Sequence, residues 1–363
     1  VIVLTVVGAR PQFVKAAPVS RLLRERHREV LVHTGQHYDP EMSAVFFRQL
    51  GIPEPDQNLG VGPGSHAETT GRMLTGLEAA MLRWGPDLVL VYGDTNSTLA
   101  GALAAAKLRL PVAHVEAGMR SGDRAMPEEI NRIAADHLSS LLLCSSRTAA
   151  DNLAAEGITR GVAVTGDVMA DALRLAAASP SGPVLERLGL RPGEYLLATV
   201  HRAGNVDRPE RLASILAALE DLASPGRPVL LPLHPRTRLA LERLGLAAPP
   251  GVRLVPPQGY LEMVALEREA ALILTDSGGV QKEAYWLGVP CVTLREETEW
   301  VETVAAGWNV LAGADRGRIV RAVRSLSPPA ARPRLYGEGE AAARCVAALE
   351  AFWVDRTTPG GTR

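Results

Sequence analysis

The chain has 363 residues, 47% of them hydrophobic and 22% charged, enough for about two domains, each with its own core. Its 39 Lys and Arg against 40 Asp and Glu give a formal net charge of -1, which argues against a general nucleic-acid or membrane-surface role and makes any anion site a local cluster. No apolar run approaches the roughly 20 residues of a bilayer span, Val1-Ile2-Val3-Leu4 reads as a strand without a basic leader, and Cys144, Cys291 and Cys345 are odd in number, far apart and set in apolar stretches, so a cytoplasmic protein with buried free thiols is expected.

Strand-like apolar runs fall at 1–7, 30–34, 87–92, 111–115, 141–145 and 162–165, and the segments between them carry helical spacing. The stretch "ASPSGPVLERLGLRPGE", 178–194, breaks this rhythm with Pro and Gly and reads as a linker around its start. Further runs follow at 195–200, 228–233, 252–256, 270–275 and 290–294. Such alternation predicts parallel sheets covered on both faces. The expected fold is α/β, with two doubly wound Rossmann-like domains facing a cleft. They span 1–177 and 178–339, and a C-terminal helix at about 340–363 is free to pack back on the first.

Polar clusters follow these strands directly, where open parallel sheets bind ligands. After the first strand, "GARPQFVK" offers Arg10 and, one and a half turns into a helix starting near Pro11, Lys15; both can reach an anion, or serve as a helix-entry Arg and a solvated Lys. No G-x-G-x-x-G or Walker motif accompanies them, so neither a tightly bound dinucleotide nor a P-loop is indicated. In "GDTNST", Asp94 has helix capping as its simplest role. Glu116, after "PVAHV", follows a strand that should be buried, and a carboxylate there needs a partner or a task. Glu128 and Glu129 follow Pro127 at a helix start, which favours negative charge. Together Asp94, Glu116 and Glu128 can supply a base and an acid.

In the second half His201 and Arg202 follow "YLLATV", and His234 follows "PVLLPL". No H-x-H or H-E-x-x-H spacing accompanies them, so anion contacts are expected and a metal is not. The stretch "LTDSGGVQKEAYWLGVP" then runs a buried strand into Ser277-Gly278-Gly279 and a helix. Its open backbone amides and positive dipole end suit a phosphate, with Glu283 placed to accept ribose hydroxyls; an ordinary βα turn with Ser277 as N-cap fits the same residues.

Taken together, "GARPQFVKAAP", "TGQHYD", "GDTNSTLAGALAA", "HVEAGMRS", "PEEINR", "TGDVMAD", the strand-end "HR" and "TDSGGVQKEAYWLGVPCVTLREETE" resemble the non-hydrolysing UDP-N-acetylglucosamine 2-epimerases over nearly the whole chain. The resemblance implies a glycosyltransferase-B-like fold with a UDP-binding second domain, a homodimer, no metal or nicotinamide cofactor, and interconversion of UDP-GlcNAc with UDP-ManNAc. It implies that Arg10, His201, Ser277, Gly278 and Gly279 hold the diphosphate, with Arg295 also on the substrate, that Glu283 holds the ribose, and that Asp94, Glu116 and Glu128, with His201, carry the catalysis. It also offers Gln36 and His37 of the "TGQHYD" loop as an allosteric site, although Asp39 stands where a further glutamine is expected. Two stretches depart from the commonest pattern. "HRAGN" has Gly204 where a glutamate is usual, and "TEWVE" has Trp300 and Val301 where Arg-Pro is usual. The second resembles the branch that epimerises UDP-2,3-diacetamido-glucuronate, the alternative substrate. A hydrolysing epimerase and a glycosyltransferase are more distant alternatives.

Inversion at C2 has no neighbouring carbonyl to acidify the hydrogen. Two routes remain: transient oxidation elsewhere on the ring by a nicotinamide, or loss of UDP to a 2-acetamidoglucal that is re-protonated at C2. The missing dinucleotide fingerprint favours elimination, with Asp94 and Glu128 the candidates for the two proton transfers, base and acid unassigned between them, and Glu116 orienting or sharing a proton.

Overall fold

The computed structural model describes residues 1–36 and 51–357. The chain divides into two compact units, Val1–Arg174 with Tyr336–Arg363, and Leu175–Leu335. Unit 1 is built on a seven-stranded sheet of β1 (Ile2–Val7), β2 (Arg28–His33), β3 (Gln57–Asn58), β4 (Leu88–Tyr92), β5 (Val112–Ala117), β6 (Leu141–Cys144) and β7 (Val162–Val164). These are ordered β3-β2-β1-β4-β5-β6-β7, and all their pairings are parallel. Unit 2 repeats the plan with six strands, β8 (Leu196–Thr199), β9 (Val229–Pro232), β10 (Val252–Val255), β11 (Leu272–Thr275), β12 (Cys291–Thr293) and β13 (Asn309–Leu311), ordered β10-β9-β8-β11-β12-β13. The expected α/β, doubly wound, Rossmann-like class is what forms. Strand order reverses between β1 and β4 in one sheet and between β8 and β11 in the other, the switch points where ligands settle.

Burial on both faces makes the strands read as unbroken apolar runs. In unit 2, Leu196, Leu231, Leu272 and Leu274 face one core, while Leu197, Leu230 and Ile273 face a second on the other side. Full burial of each such side chain is worth about 1.5–3 kcal/mol. In unit 1, Leu4, Val6, Val30, Val32, Val89 and Val91 pack under Met73, Leu77 and Met81 of the helix His66–Trp84. The closing helix Ala341–Thr357 packs on Arg10–Arg24, and Asp171 accepts the amide protons of Ala341 and Ala342 at 3.0 and 3.3 Å.

Two features differ from the sequence-based expectation, and the buried thiols follow it. β3 and β13, of two and three residues, are too short to show a pattern. The stretch read as a linker contains the helix Gly182–Leu188, in which Pro183 falls in the first turn and Gly189 is the left-handed C-cap; the two apparent breakers are its end signals. All three cysteines are buried free thiols, and burial pushes each up to about 12. No described helix is long and apolar enough to cross a membrane.

Candidate active site

In unit 1 the polar residues gather after β1, β4 and β5. The helix Arg10–Arg24 starts directly after β1, and its entry is fixed by Gln12, whose side chain accepts from the amides of Gly8 (2.8 Å) and Ala9 (3.1 Å) and donates to the Tyr92 carbonyl (3.0 Å). Two turns of backbone thereby become one rigid corner. The Arg10 side chain and His37 lie outside the described residues. Lys15, on the same helix, is buried and forms an ion pair with Glu116. Burial alone would lower its pKa, but the Glu116 and Asp94 carboxylates raise it above the ordinary lysine value, so it stays an ammonium.

Glu116 reaches that lysine by an unusual backbone path. The pairing of β5 with β6 slips between Val115 and Ala117, a bulge that turns Glu116 out of the strand, and its φ of 71° lies in the left-handed region. A bulky residue held there stores strain of order 1–3 kcal/mol, a feature that clusters at functional sites. Gly93 completes the corner. Its φ of 63° lies in the left-handed region that favours glycine, and a Cβ built on it would come 2.9 Å from Lys15 Nζ, so any larger residue would have to displace the ammonium.

Asp94 is not the helix cap: Thr95 caps Asn96–Lys107 instead. Asp94 accepts from Arg132 Nε at 3.1 Å and from its terminal nitrogen at 2.7 Å, and its carbonyl accepts from Asn131 at 2.9 Å. Glu129 is buried and takes the other arm of Arg132 (2.7 Å) together with the amides of Ser121 and Gly122. Burial opposes its charge, but these donors hold its carboxyl below the ordinary range. Glu128 is half-buried on the first turn of the helix Pro127–Leu138. It lies three and four residues before Asn131 and Arg132, hence on the face that grips Asp94. Gln36 is engaged locally, its side-chain oxygen accepting from the Ser97 amide (3.1 Å) and hydroxyl (2.7 Å).

In unit 2 the organiser is Asp276, fully buried at the end of β11. It accepts from the amides of His201 and Arg202 and from Asn205 Nδ2, all at 3.0–3.1 Å, which folds the "HR" turn against the start of the helix Gly278–Leu287. His201 has its pKa lowered, chiefly by burial and against the pull of Asp276, which leaves a ring suited to neutral donation or acceptance. It stacks obliquely on His234 with ring centroids 5.2 Å apart, and His234 caps the helix Pro235–Leu244 through its Nδ1. Ser277 is indeed an N-cap, its hydroxyl accepting from the Val280 amide at 3.5 Å. That role leaves the amides of Gly278 and Gly279 at the helix mouth.

Around that mouth, a Cβ on Gly278 would meet Trp300 Nε1 at 3.3 Å, Arg202 at 3.9 Å and Glu299 at 3.9 Å. A Cβ on Gly279 would meet only Ser277 Oγ, at 3.9 Å, and otherwise project into open space. Arg202 Nε is buried without a hydrogen-bond partner among the described residues, a donor beside an anion-favouring helix terminus. Arg295 is held by Glu299 in a bidentate pair at 3.0 and 3.1 Å. Glu283 is buried one turn inside the helix. Behind it, Glu267 of the helix Tyr260–Arg268 is wholly buried, and burial with the Glu283 charge pushes its carboxyl well above the ordinary range. Lys282 lies 3.8 Å from the Trp300 ring centroid. Among the described residues no three His, Cys, Asp or Glu side chains converge as metal ligands.

Sequence reasoning missed the supports. Glu129, Asn131 and Arg132 stand inside the quoted "PEEINR", and their i+3 and i+4 spacing was the signal for Asn131 and Arg132. Asp276 ends a buried strand, where any carboxylate must be fully hydrogen-bonded. Glu267 carries no local signal.

The family model of UDP-N-acetylglucosamine 2-epimerase matches residues 21–350. The UDP-2,3-diacetamido-2,3-dideoxy-D-glucuronate 2-epimerase of Pseudomonas aeruginosa is 51% identical over 349 residues, 94% of this chain and 97% of that protein. A UDP-N-acetylglucosamine 2-epimerase homolog of Methanococcus maripaludis is 49% identical over 355 residues, 96% of this chain and 99% of that one. The crystal structure of Methanocaldococcus jannaschii UDP-GlcNAc 2-epimerase in complex with UDP-GlcNAc and UDP superposes with a TM-score of 0.88 at 39% identity, covering 97% of this chain and all of that one. Motifs, twin switch points and these likenesses lead to one conclusion: the chain belongs to the UDP-N-acetylglucosamine 2-epimerase family.

Proposed function

We propose that the protein inverts C2 of a UDP-N-acetylhexosamine, UDP-GlcNAc to UDP-ManNAc, by eliminating UDP and adding it back. The observation that carries this reading is the division of labour between the units. One holds a strained carboxylate, Glu116, with Asp94 and an obligate ammonium; the other presents a helix terminus with an unengaged buried Arg202 donor. A carboxylate of unit 1 removes the C2 proton while the C1–O bond breaks and its electron pair leaves with UDP, giving a C1=C2 double bond. Arg202, His201 and the Ser277-Gly278-Gly279 terminus stabilise the departing diphosphate, as fixed dipoles and cations do for developing charge. Glu283 accepts the ribose hydroxyls. A carboxylic acid then protonates C2 from the opposite face as UDP re-forms its bond to C1. Asp94 and Glu128 are the proton-transfer pair, and Glu116, tied to Lys15, orients them or shares a proton.

The test is a time course by NMR in heavy water. Product formed from protiated substrate gains one deuterium at C2, and oxygen label moves from the sugar–phosphate bridge to non-bridging positions. Retention of the original hydrogen together with dependence on added nicotinamide defeats the elimination.

A second substrate reading rests on Gly204. A Cβ there would meet nothing within 4 Å, so the turn has room for the glutamate usual at this point but does not carry that charge. A sugar carrying its own carboxylate, UDP-2,3-diacetamido-glucuronate, suits such a turn, and the Pseudomonas aeruginosa relative is named for that substrate. Parallel assays on the two sugars, repeated with Gly204→Glu, separate the readings: the substitution selectively depresses turnover of the uronate. We place the protein in the cytoplasm, where its buried thiols remain reduced, as a homodimer; sedimentation at a mass near 38.6 kDa would refute the dimer.

A further inference from the structure

We propose that His114 is the positioning residue for this chemistry: donating from both ring nitrogens, it ties together the three segments that carry Asp94, Glu116 and Glu128. The proposal rests on the reading above, in which those carboxylates move the protons. His114 lies on β5 two residues before Glu116 and is 0% exposed. Its Nε2 is 2.7 Å from the carbonyl oxygen of Gly93, the residue before Asp94. Its Nδ1 is 2.7 Å from Oδ1 of Asp136, two turns along the helix that begins at Pro127 and bears Glu128.

Hydrogen-bond chemistry fixes the form of the ring. A backbone carbonyl only accepts, so Nε2 must carry a proton. Asp136 is surrounded by donors, its Oδ2 taking the Gly118 amide at 3.1 Å and Arg120 at 2.8 Å, a set that favours the ionised, acceptor-only carboxylate, and an ionised Oδ1 calls for a second proton on Nδ1. Burial opposes the Asp136 charge, but His114 and Arg120 hold its carboxyl below the ordinary range. The other charges facing the pair are already divided: Arg120 is shared with Glu156 at 2.6 and 2.8 Å, and His137 lies 3.5 Å from the same Glu156.

Stability alone gives a weak reason for the arrangement. An apolar pair of the same volume commonly stabilises a core as well as a buried ion pair does. What it cannot do is set direction. Gly93 is held at both ends, its amide donating to Val115 at 3.0 Å and its carbonyl accepting from His114, so the turn that aims Asp94 is registered against the bulge that aims Glu116. A misplacement of about 1 Å in such a set can cost on the order of 100-fold in rate.

Two substitutions divide the bonds. His114→Asn places an amide donor where Nδ1 was and drops the Gly93 bond, whereas His114→Gln places it where Nε2 was and drops the Asp136 bond. For both, kcat per folded molecule falls about 10- to 100-fold while KM and UDP affinity stay within about threefold. A purely structural role would lower the melting temperature and leave kcat of the folded protein unchanged. On the wild-type protein, ¹⁵N-histidine spectra should show two one-bond N–H correlations from a single ring, protected from exchange by burial. A bare nitrogen on that ring overturns the proposal, and this measurement decides alone should neither variant fold. Wild-type kcat in both folded variants, with Asp94→Asn and Glu128→Gln inactive, also overturns it while leaving the catalytic reading intact. Full turnover in Asp94→Asn and Glu128→Gln overturns the reading on which it rests.

Discussion

Replacing Glu116 by glycine and by alanine separates the strain at this carboxylate from its charge. Both substitutions remove the partner of Lys15, so the cost of leaving that ammonium unpaired is common to both and cancels in the comparison. What remains is the backbone. At φ of 71° alanine keeps the left-handed penalty, about 1–2 kcal/mol, and glycine sheds it. Against this, glycine gives the unfolded chain more freedom, worth about 0.4–1 kcal/mol. The difference leaves Glu116→Gly more stable than Glu116→Ala by up to about 1.5 kcal/mol, the reverse of the ordinary order. Ala117, fully buried next along β5, is the control, where glycine should cost about 0.5–1 kcal/mol. Urea unfolding of the three variants beside wild type, followed by circular dichroism with m held in common, measures each difference as a shift in midpoint. Should alanine exceed glycine at position 116, the bulge is unstrained and the account of how it aims the carboxylate fails.

Asp94→Asn and Glu128→Gln should each lower turnover by at least about 100-fold with the fold intact, the usual scale for an acid–base group; near-normal turnover removes that residue from the mechanism. Gly279→Val should leave the melting temperature nearly unchanged, because its Cβ meets only Ser277 Oγ at 3.9 Å, yet weaken UDP and inorganic diphosphate alike in calorimetry, whereas Glu283→Ala should spare diphosphate and weaken UDP. Unaltered UDP binding in both would return this stretch to an ordinary capped turn. Glu267 predicts a pH dependence of stability. Its folded-state pKa is raised, so the folded protein holds a proton that the unfolded chain releases, and its contribution is complete below the unfolded carboxyl value and lost as pH rises towards the folded one. Glu267→Gln should therefore gain on wild type as pH rises above the unfolded carboxyl value, by up to about 1.4 kcal/mol per pH unit; parallel stability curves would contradict a buried neutral carboxyl.

The layout of the fold was legible wherever burial on both faces wrote itself into the chain as a continuous run, as in Leu88–Tyr92 and Leu141–Cys144. It was illegible where tertiary contacts did the work of pattern: Asn309–Leu311 is a strand because β12 pairs with it, at a length too short to announce itself. Pro183 and Gly189 misled in a useful way, since the residues that interrupt a helix are also those that begin and end one. In the site, motif residues stood after the expected strands, and Thr95 took the capping role for which Asp94 had been the obvious choice. The left-handed Glu116 could not be read ahead, because glutamate is a poor residue for that conformation and only the surrounding corner holds it there. Nor could the pairing of Glu267 with Glu283, which lie on neighbouring helices and share no sequence signal.

The three inert thiols turn the protein into a convenient spectroscopic object. A cysteine attacks a maleimide only as an accessible thiolate, and groups both buried and pushed up to about 12 offer neither access nor charge at neutral pH. Dye chemistry will therefore be governed by whatever cysteine is introduced. Leu82, 69% exposed in unit 1, and Leu239, 66% exposed in unit 2, are apolar side chains with little packing to lose. A Leu82→Cys, Leu239→Cys double variant can carry a donor and an acceptor fluorophore on the otherwise native chain. Its transfer efficiency, followed one molecule at a time while UDP is titrated, would read the separation of the two units in solution, with no need to delete a native cysteine first.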